Sequence, residues 1–206
     1  MDGLRAVLSA VRVTLVFWVI CGLLYPLAVV GVGQLAFHRQ ANGSMIRNAS
    51  GQIVGSAHIG QNFSGNGWFW GRPSATLNPA TGKPEPYAAN NSGGSNLGPT
   101  NAALEAEVKA NLQTFLAADP GARADQVPLD LLESSGSGLD PDITPASALL
   151  QVPRVAAATG LSPSTLRRLV REDTRNGVFI RLFGAPHVNV LRLNLALDGL
   201  HPARVR

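Results

Sequence analysis

The stretch from Val13 to Phe37, VTLVFWVICGLLYPLAVVGVGQLAF, decides how the rest of the chain is read. Across it Thr14 and Gln34 are the plainly polar side chains, and no residue is charged. As a helix it reaches roughly 37 Å, enough to cross a hydrocarbon layer of about 30 Å with some tilt. A buried helix of a soluble core rarely stays uncharged for so long. Arg5 and Arg12 precede the run as a basic n-region would, but the run is too long for a cleaved signal peptide and no A-x-A pattern closes it at 33–37. The sequence predicts an uncleaved signal anchor. Pro26 lacks the donor an α-helix needs mid-span, which predicts a kink there. Gly22, Ala28, Gly31 and Gly33 offer small surfaces to a neighbouring helix, so Gly22, Pro26 and Gly31 are the candidate packing positions of the span.

The expected organisation is residues 1–12 as a short cytoplasmic N-terminus, 13–37 as the membrane helix and 38–206 as one soluble domain, long enough for a core of its own. One helix cannot build a transport pathway alone, because such pathways form between several helices or inside a closed barrel. The formal net charge is +4, and the 17 basic residues are nearly all Arg, with Lys only at 83 and 109. The sole cysteine, Cys21, lies in the span, so the domain has neither thiol nor disulfide, which permits an oxidising compartment. Arg5 and Arg12 on one side of the span against Arg39 and Arg47 on the other give a small bias toward a cytoplasmic N-terminus and an extracytoplasmic domain.

Within the domain, residues 45–47 and 52–55 read as two short strands around a turn. His58 has no Cys, Asp or Glu at metal spacing and reads as a surface histidine. Trp68-Phe69-Trp70-Gly71-Arg72 concentrates aromatics beside a cation; core packing is the default, and Trp68, Trp70 and Arg72 are candidate partner contacts. Residues 78–99 lack apolar periodicity and predict a long loop, ordered or mobile. Inside it Ser92-Gly93-Gly94-Ser95-Asn96 is a candidate nucleotide or partner contact, its glycines allowing backbone N–H groups to approach an anion. No G-x-x-x-x-G-K-S/T exists, Gly82-Lys83 being followed by Pro84, so the chain has no phosphate loop of that type.

A helix capped by Thr100 or Asn101 is expected to run to about Ala118, with Leu104, Val108, Leu112, Phe115 and Leu116 on its core face. Ser137 lacks the frame of a hydrolase nucleophile, and Asp140 and Asp142 read as turn and cap residues rather than cation ligands. Residues 153–171 carry the spacings of a helix-turn-helix, with Arg167, Arg168, Arg171 and Arg175 as a basic face; a tight corner between packed helices gives the same pattern. Residues 178–183 and 188–197 read as strands, the second from Leu191, Leu193, Leu195 and Leu197 alternating with other residues. Hairpin, then helices, then strands make an α+β domain behind a single N-terminal transmembrane helix.

Taken in order, these motifs resemble the C subunit of the bacterial Kdp-type potassium-transporting P-type ATPase. The resemblance rests on the N-terminal span, Gly55-Ser56 with Ile59-Gly60-Gln61, residues 69–75, 92–99, 135–141 and 151–156, and Val188-Asn189-Val190-Leu191 with Leu193-Asn194. The family carries His or a similar residue where Asp142 stands. The resemblance implies a subunit with no catalytic residues, in an inner-membrane complex with a potassium-conducting partner and an ATP-hydrolysing partner. It also implies a stabiliser of that assembly and a catalytic chaperone that raises the ATP affinity of the hydrolysing subunit. ATP and potassium then belong to the complex, with no cofactor, metal or nucleic acid assigned to this chain. A domain lying outside the membrane cannot touch cytoplasmic ATP, so any effect on nucleotide affinity must be a coupling through partner helices. The alternatives are a membrane-anchored regulator using residues 153–171 and a single-pass solute-binding or sensory protein.

Overall fold

The computed structural model describes residues 2–200. The chain divides into two compact units after Met45. The first is a long helix: α1 (Asp2–Val19) continues through a π-helical turn at Ile20–Leu24 into α2 (Tyr25–Ala36), followed by the short α3 (His38–Ala41). Tyr25 N–H bonds the Ile20 carbonyl, five residues back, one position before Pro26. A proline ring clashes with the carbonyl four residues earlier, and widening the ladder to an i→i+5 turn accommodates it, so the expected irregularity takes the form of a π-bulge. The helix from Asp2 to Ala36 is long and apolar enough to cross a membrane, and none of its most apolar window is buried in the protein. A Cβ added to Gly22 or Gly31 would meet nothing within 4 Å.

The second unit is the α+β domain. The expected hairpin forms, β1 (Met45–Arg47) beside β2 (Ile53–Ser56), with Gly51 at φ +81° in its turn. Residues 57–101 then contain isolated bridges but no named helix or strand. Next comes α4 (Ala102–Ala118), capped by the Asn101 side chain on the Ala103 N–H. β3 (Asp142–Ile143), α5 (Pro145–Leu150), α6 (Val152–Thr159), α7 (Pro163–Asp173), β4 (Thr174–Arg175), α8 (Val178–Phe183), β5 (His187–Asn189) and α9 (Val190–Leu200) complete the described chain. β5 is the middle of a three-stranded antiparallel sheet, with Val188 facing both Ile143 and Thr174 in register.

Two expected strands are helices. At 188–197 only Val188 and Asn189 extend the strand begun at His187; Val190 onward is α9. The buried residues Val190, Leu193, Asn194 and Leu197 fall at i, i+3, i+4 and i+7, the spacing of a helix face, while Leu195 is only half-buried. The leucines alternate only if Asn194 faces solvent, and it is buried. Residues 178–183 form α8, a short helix within the connection from β4 to β5, and do not join the sheet.

The interior holds two clusters. Phe69, Ile143, Ala148, Val152, Val155, Leu166, Val170, Val188, Val190, Leu193 and Leu197 make the larger; Phe115, Val127, Leu131 and Leu132 make the smaller, with Val108, Leu112 and Leu116 of α4 against it. Consecutive residues straddle them, since Phe69 belongs to the first and Trp70 packs on the second.

Candidate functional site

The segment at 68–74 is irregular, so its buried backbone groups need partners from side chains. Asn194, fully buried on α9, accepts from the Phe69 N–H at 2.9 Å and donates to the Phe69 carbonyl at 2.9 Å. Gln151, in the bend between α5 and α6, does the same for Trp70, accepting from its N–H at 2.7 Å and donating to its carbonyl at 3.1 Å. The two carboxamides replace the strand that this segment lacks. Arg154, only 5% exposed, places Nη1 against the Asn66 and Trp68 carbonyls at 3.0 and 3.1 Å, and its guanidinium stacks 4.3 Å from the centroid of the Trp70 ring. Burial lowers the Arg154 pKa to about 10, partly offset by the charge of Asp119, so the group stays cationic at neutral pH.

Trp70 also meets Phe115 edge to face at 6.2 Å and donates its indole N–H to the Gly65 carbonyl at 2.8 Å. Trp68 packs tilted against Phe63 at 5.9 Å. Arg72 Nη1 pairs with Asp140 at 3.2 Å, and the Tyr87 hydroxyl donates to the Arg72 carbonyl at 2.7 Å. Burial first, then the negative Asp140, pushes the Tyr87 pKa up to about 12, so the hydroxyl remains a donor. Trp70, Arg72, Pro73 and Tyr87, with Asn111 and Phe115 from α4 and its neighbours, line a cleft of about 160 Å³. The three expected partner contacts thus lie on one segment, each already engaged within the domain.

The loop at 78–99 is ordered by hydroxyls. Ser74 Oγ donates to the Gly138 carbonyl at 2.7 Å and accepts the Tyr87 N–H at 2.9 Å; Thr76 Oγ1 donates to the Glu85 carbonyl and accepts the Ala88 N–H. Ser92–Asn96 lies against another polar turn, at 134–138. Gly93 N–H donates to the Ser137 carbonyl at 2.8 Å, as does Ser92 Oγ at 3.0 Å. A Cβ on Gly94 would sit 3.0 Å from Gly136 Cα and the Ser135 carbonyl, and one on Gly138, at φ +65°, would collide with the Gly93 carbonyl and Thr76. These glycines let two turns meet backbone to backbone, which accounts for them without an anion.

Asp142 accepts from Asn189 Nδ2 at 3.0 Å and lies 3.8 Å from His187 Nε2; Asp140 also caps the Asp142 N–H. Among the described residues no three His, Cys, Asp or Glu side chains gather as a metal site. His58 is exposed. The helix-turn-helix spacing does form a corner, with Gly160 at φ +75° and Ser162 capping α7 through the Thr165 N–H. Its first helix turns Arg154 inward, while Arg167, Arg168, Arg171 and Arg175 are exposed. Gln151, Arg154 and Asn194 carry the site's geometry but were singled out in sequence only as parts of longer motifs. The readable signal was a polar residue at a helix-core spacing.

The family described as KdpC, K+-transporting ATPase, c chain, matches residues 7–199. The potassium-transporting ATPase KdpC subunit of Rhodopseudomonas palustris strain BisB5 is 50% identical over 200 residues, covering 95% of this chain and 97% of the relative. That of Gloeobacter violaceus is 46% identical over 200 residues, covering 97% and 99%, and that of Sorangium cellulosum is 51% identical over 190 residues, covering 92% and 95%. The matched span takes in the apolar helix, the 68–74 segment with its carboxamide clamps, and both glycine turns, so the chain belongs to the KdpC family, the c chain of the K+-transporting ATPase.

Proposed function

We propose that this chain is the accessory subunit that holds a high-affinity, ATP-driven potassium uptake complex together, bound to its potassium-conducting and ATP-hydrolysing subunits. The carrying observation is the family match across residues 7–199, which spans anchor and domain together. Residues 13–37 cross the inner membrane once, 1–12 lie in the cytoplasm, and 38–206 cover the extracytoplasmic mouth of the conducting subunit. Gly22, Pro26 and Gly31 meet a partner helix, a role supported by the open space at both glycines and the π-bulge beside the proline. The cleft at Trp70 and Arg72 and the outer face of Ser92–Asn96 are the partner-facing surfaces of the domain. A catalytic-chaperone effect on ATP affinity acts through partner helices, because Gly93 already uses its N–H on Ser137 and an outside domain never meets ATP.

Topology tests this reading. With Cys21→Ala and Ser92→Cys, a membrane-impermeant maleimide should label intact cells as fully as lysed ones. Labelling confined to lysed cells would overturn the extracytoplasmic placement and reopen direct nucleotide contact at 92–96. Removal of residues 38–206 should abolish potassium-dependent ATPase activity of the complex, and full activity with the span alone would refute the stabilising role.

A further inference from the structure

The domain's core leaves the apolar face of α8 bare. In α8, Val178, Phe179, Leu182 and Phe183 are 81, 79, 70 and 80% exposed. At 100° per residue these four cover an arc of about 140°, as wide as the stripe a helix turns toward a protein core. Ile180, outside that arc, is half-buried. The helix forms the tip of the connection between the paired strands β4 and β5, flanked by Gly177 and Gly184, so the apolar side chains project from a loop end.

The sequence leading into the tip is basic. Residues 167–184 hold five arginines, at 167, 168, 171, 175 and 181, against Glu172 and Asp173. Arg171 and Arg175 are exposed, and Arg168 pairs with Glu172 only at 3.8 Å. Bulky exposed apolar side chains in a segment rich in exposed arginine match the boundary between acyl chains and anionic headgroups, where rings and aliphatic tips sit in the apolar layer and guanidinium groups meet phosphates. A bilayer is also at hand. Seven residues, 38–44, four of them in α3, join the apolar helix to β1 and reach roughly 16 Å, against a radius of gyration of roughly 15 Å for a domain of this size.

We propose that α8 is a second, interfacial membrane contact, inserting Val178, Phe179, Leu182 and Phe183 into the headgroup boundary of an anionic bilayer. It acts beside the spanning helix as the second point of a two-point attachment and limits rotation of the domain about its tether. The contact does not depend on which side of the membrane the domain occupies.

The test uses the full chain in nanodiscs of phosphatidylethanolamine and phosphatidylglycerol, alone and assembled with its partner subunits. Phe179→Cys and Phe183→Cys, each with Cys21→Ala, carry an environment-sensitive NBD label, and exposed Gln113→Cys on α4 is the control. The expected result is blue-shifted emission at 179 and 183, iodide quenching several-fold weaker than at 113, and quenching by lipids bearing a nitroxide near the headgroup. Arg175→Glu should weaken all three signals. Free access of iodide to 179 and 183, equal to that at 113, would overturn the proposal. So would protection that appears only in the assembled complex without nitroxide-lipid quenching, which would make α8 a protein-docking surface. Phe179 and Phe183 are surface residues, so these substitutions leave the core intact.

Discussion

Asn194 provides the sharpest test of how the domain is held together. Its carboxamide is the hydrogen-bond partner of both the N–H and the carbonyl of Phe69, a residue with no exposed surface. Asn194→Leu keeps the approximate volume and leaves both groups buried and unpaired. At about 1–3 kcal/mol for each orphaned group, the loss is about 2–6 kcal/mol, a large part of the roughly 5–15 kcal/mol that stabilises a domain. Asn194→Asp separates the two bonds. Its carboxylate still accepts the Phe69 N–H but turns a second anionic oxygen toward the Phe69 carbonyl, so at neutral pH it should be no more stable than the leucine variant. Burial beside a carbonyl raises the carboxyl pKa of the variant in the folded state above that in the unfolded state. The variant should therefore regain stability as the pH falls through the folded pKa, when the protonated acid can donate to the carbonyl, and lose it as the pH rises. Urea titrations of the full chain in detergent, from pH 5 to 8, follow this through the fluorescence of Trp68 and Trp70, which flank the clamped residue. An aspartate variant as stable as the parent at pH 7.5, or one that gains stability with rising pH, would refute the clamp.

Three further outcomes follow from the same geometry. Arg154→Ala should cost about 3–5 kcal/mol by removing a buried cation from the Trp68 carbonyl, Gln151 and Asp119, and Arg154→Lys should recover only part because it lacks the planar fork that stacks on Trp70; equal denaturation midpoints for parent and alanine variant would contradict this. Asp173, whose pKa burial raises to about 6 despite Arg192 and Arg175, favours the folded state when protonated, so the parent should lose stability as pH rises from about 4 through 6; Asp173→Asn should flatten that slope and raise the thermal midpoint at pH 7.5 but not at pH 4. Gly138→Ala should destabilise by about 2–3 kcal/mol through its left-handed backbone and the collision with Gly93 and Thr76, whereas Gly65→Ala, also at positive φ but with open space around it, should cost only about 1 kcal/mol in the same unfolding assay.

Legibility of the sequence followed the range of the forces involved. The apolar helix, the 45–56 hairpin, the Asn101 cap and the Ser162 cap each depend on neighbours within a few positions, and each was readable from pattern. The corner at Gly160 was equally readable as geometry, while its use was not. The last third failed for a different reason. Leucines at every second position are a strand signal only if the residues between them face water, and buried Asn194 broke that assumption from a distance of 125 residues. At 178–183 the short apolar run fits a strand and a helix equally well by pattern, and the chain takes the helix. At 68–74 the aromatic residues were visible, but the carboxamides that hold them arrive from α9 and from the bend before α6.

That dependence on distant partners bears on what an accessory subunit can present to its complex. Residues 57–101 have no ladder of their own, and their anchors come from far along the chain: Asn194 and Gln151 on Phe69 and Trp70, Asp140 on Arg72, the Gly138 carbonyl on Ser74 and the Ser137 carbonyl on Ser92. Closing such long loops costs chain entropy before any contact repays it, so this surface forms only together with the helical core that supplies the anchors. A chain truncated before α9 lacks the Asn194 clamp, and the Trp70–Arg72 cleft and the Ser92–Asn96 turn lose their fixed positions together. The surface proposed to meet partners is therefore coupled to completion of the C-terminal helix, and an incompletely folded subunit has no ordered face to offer them.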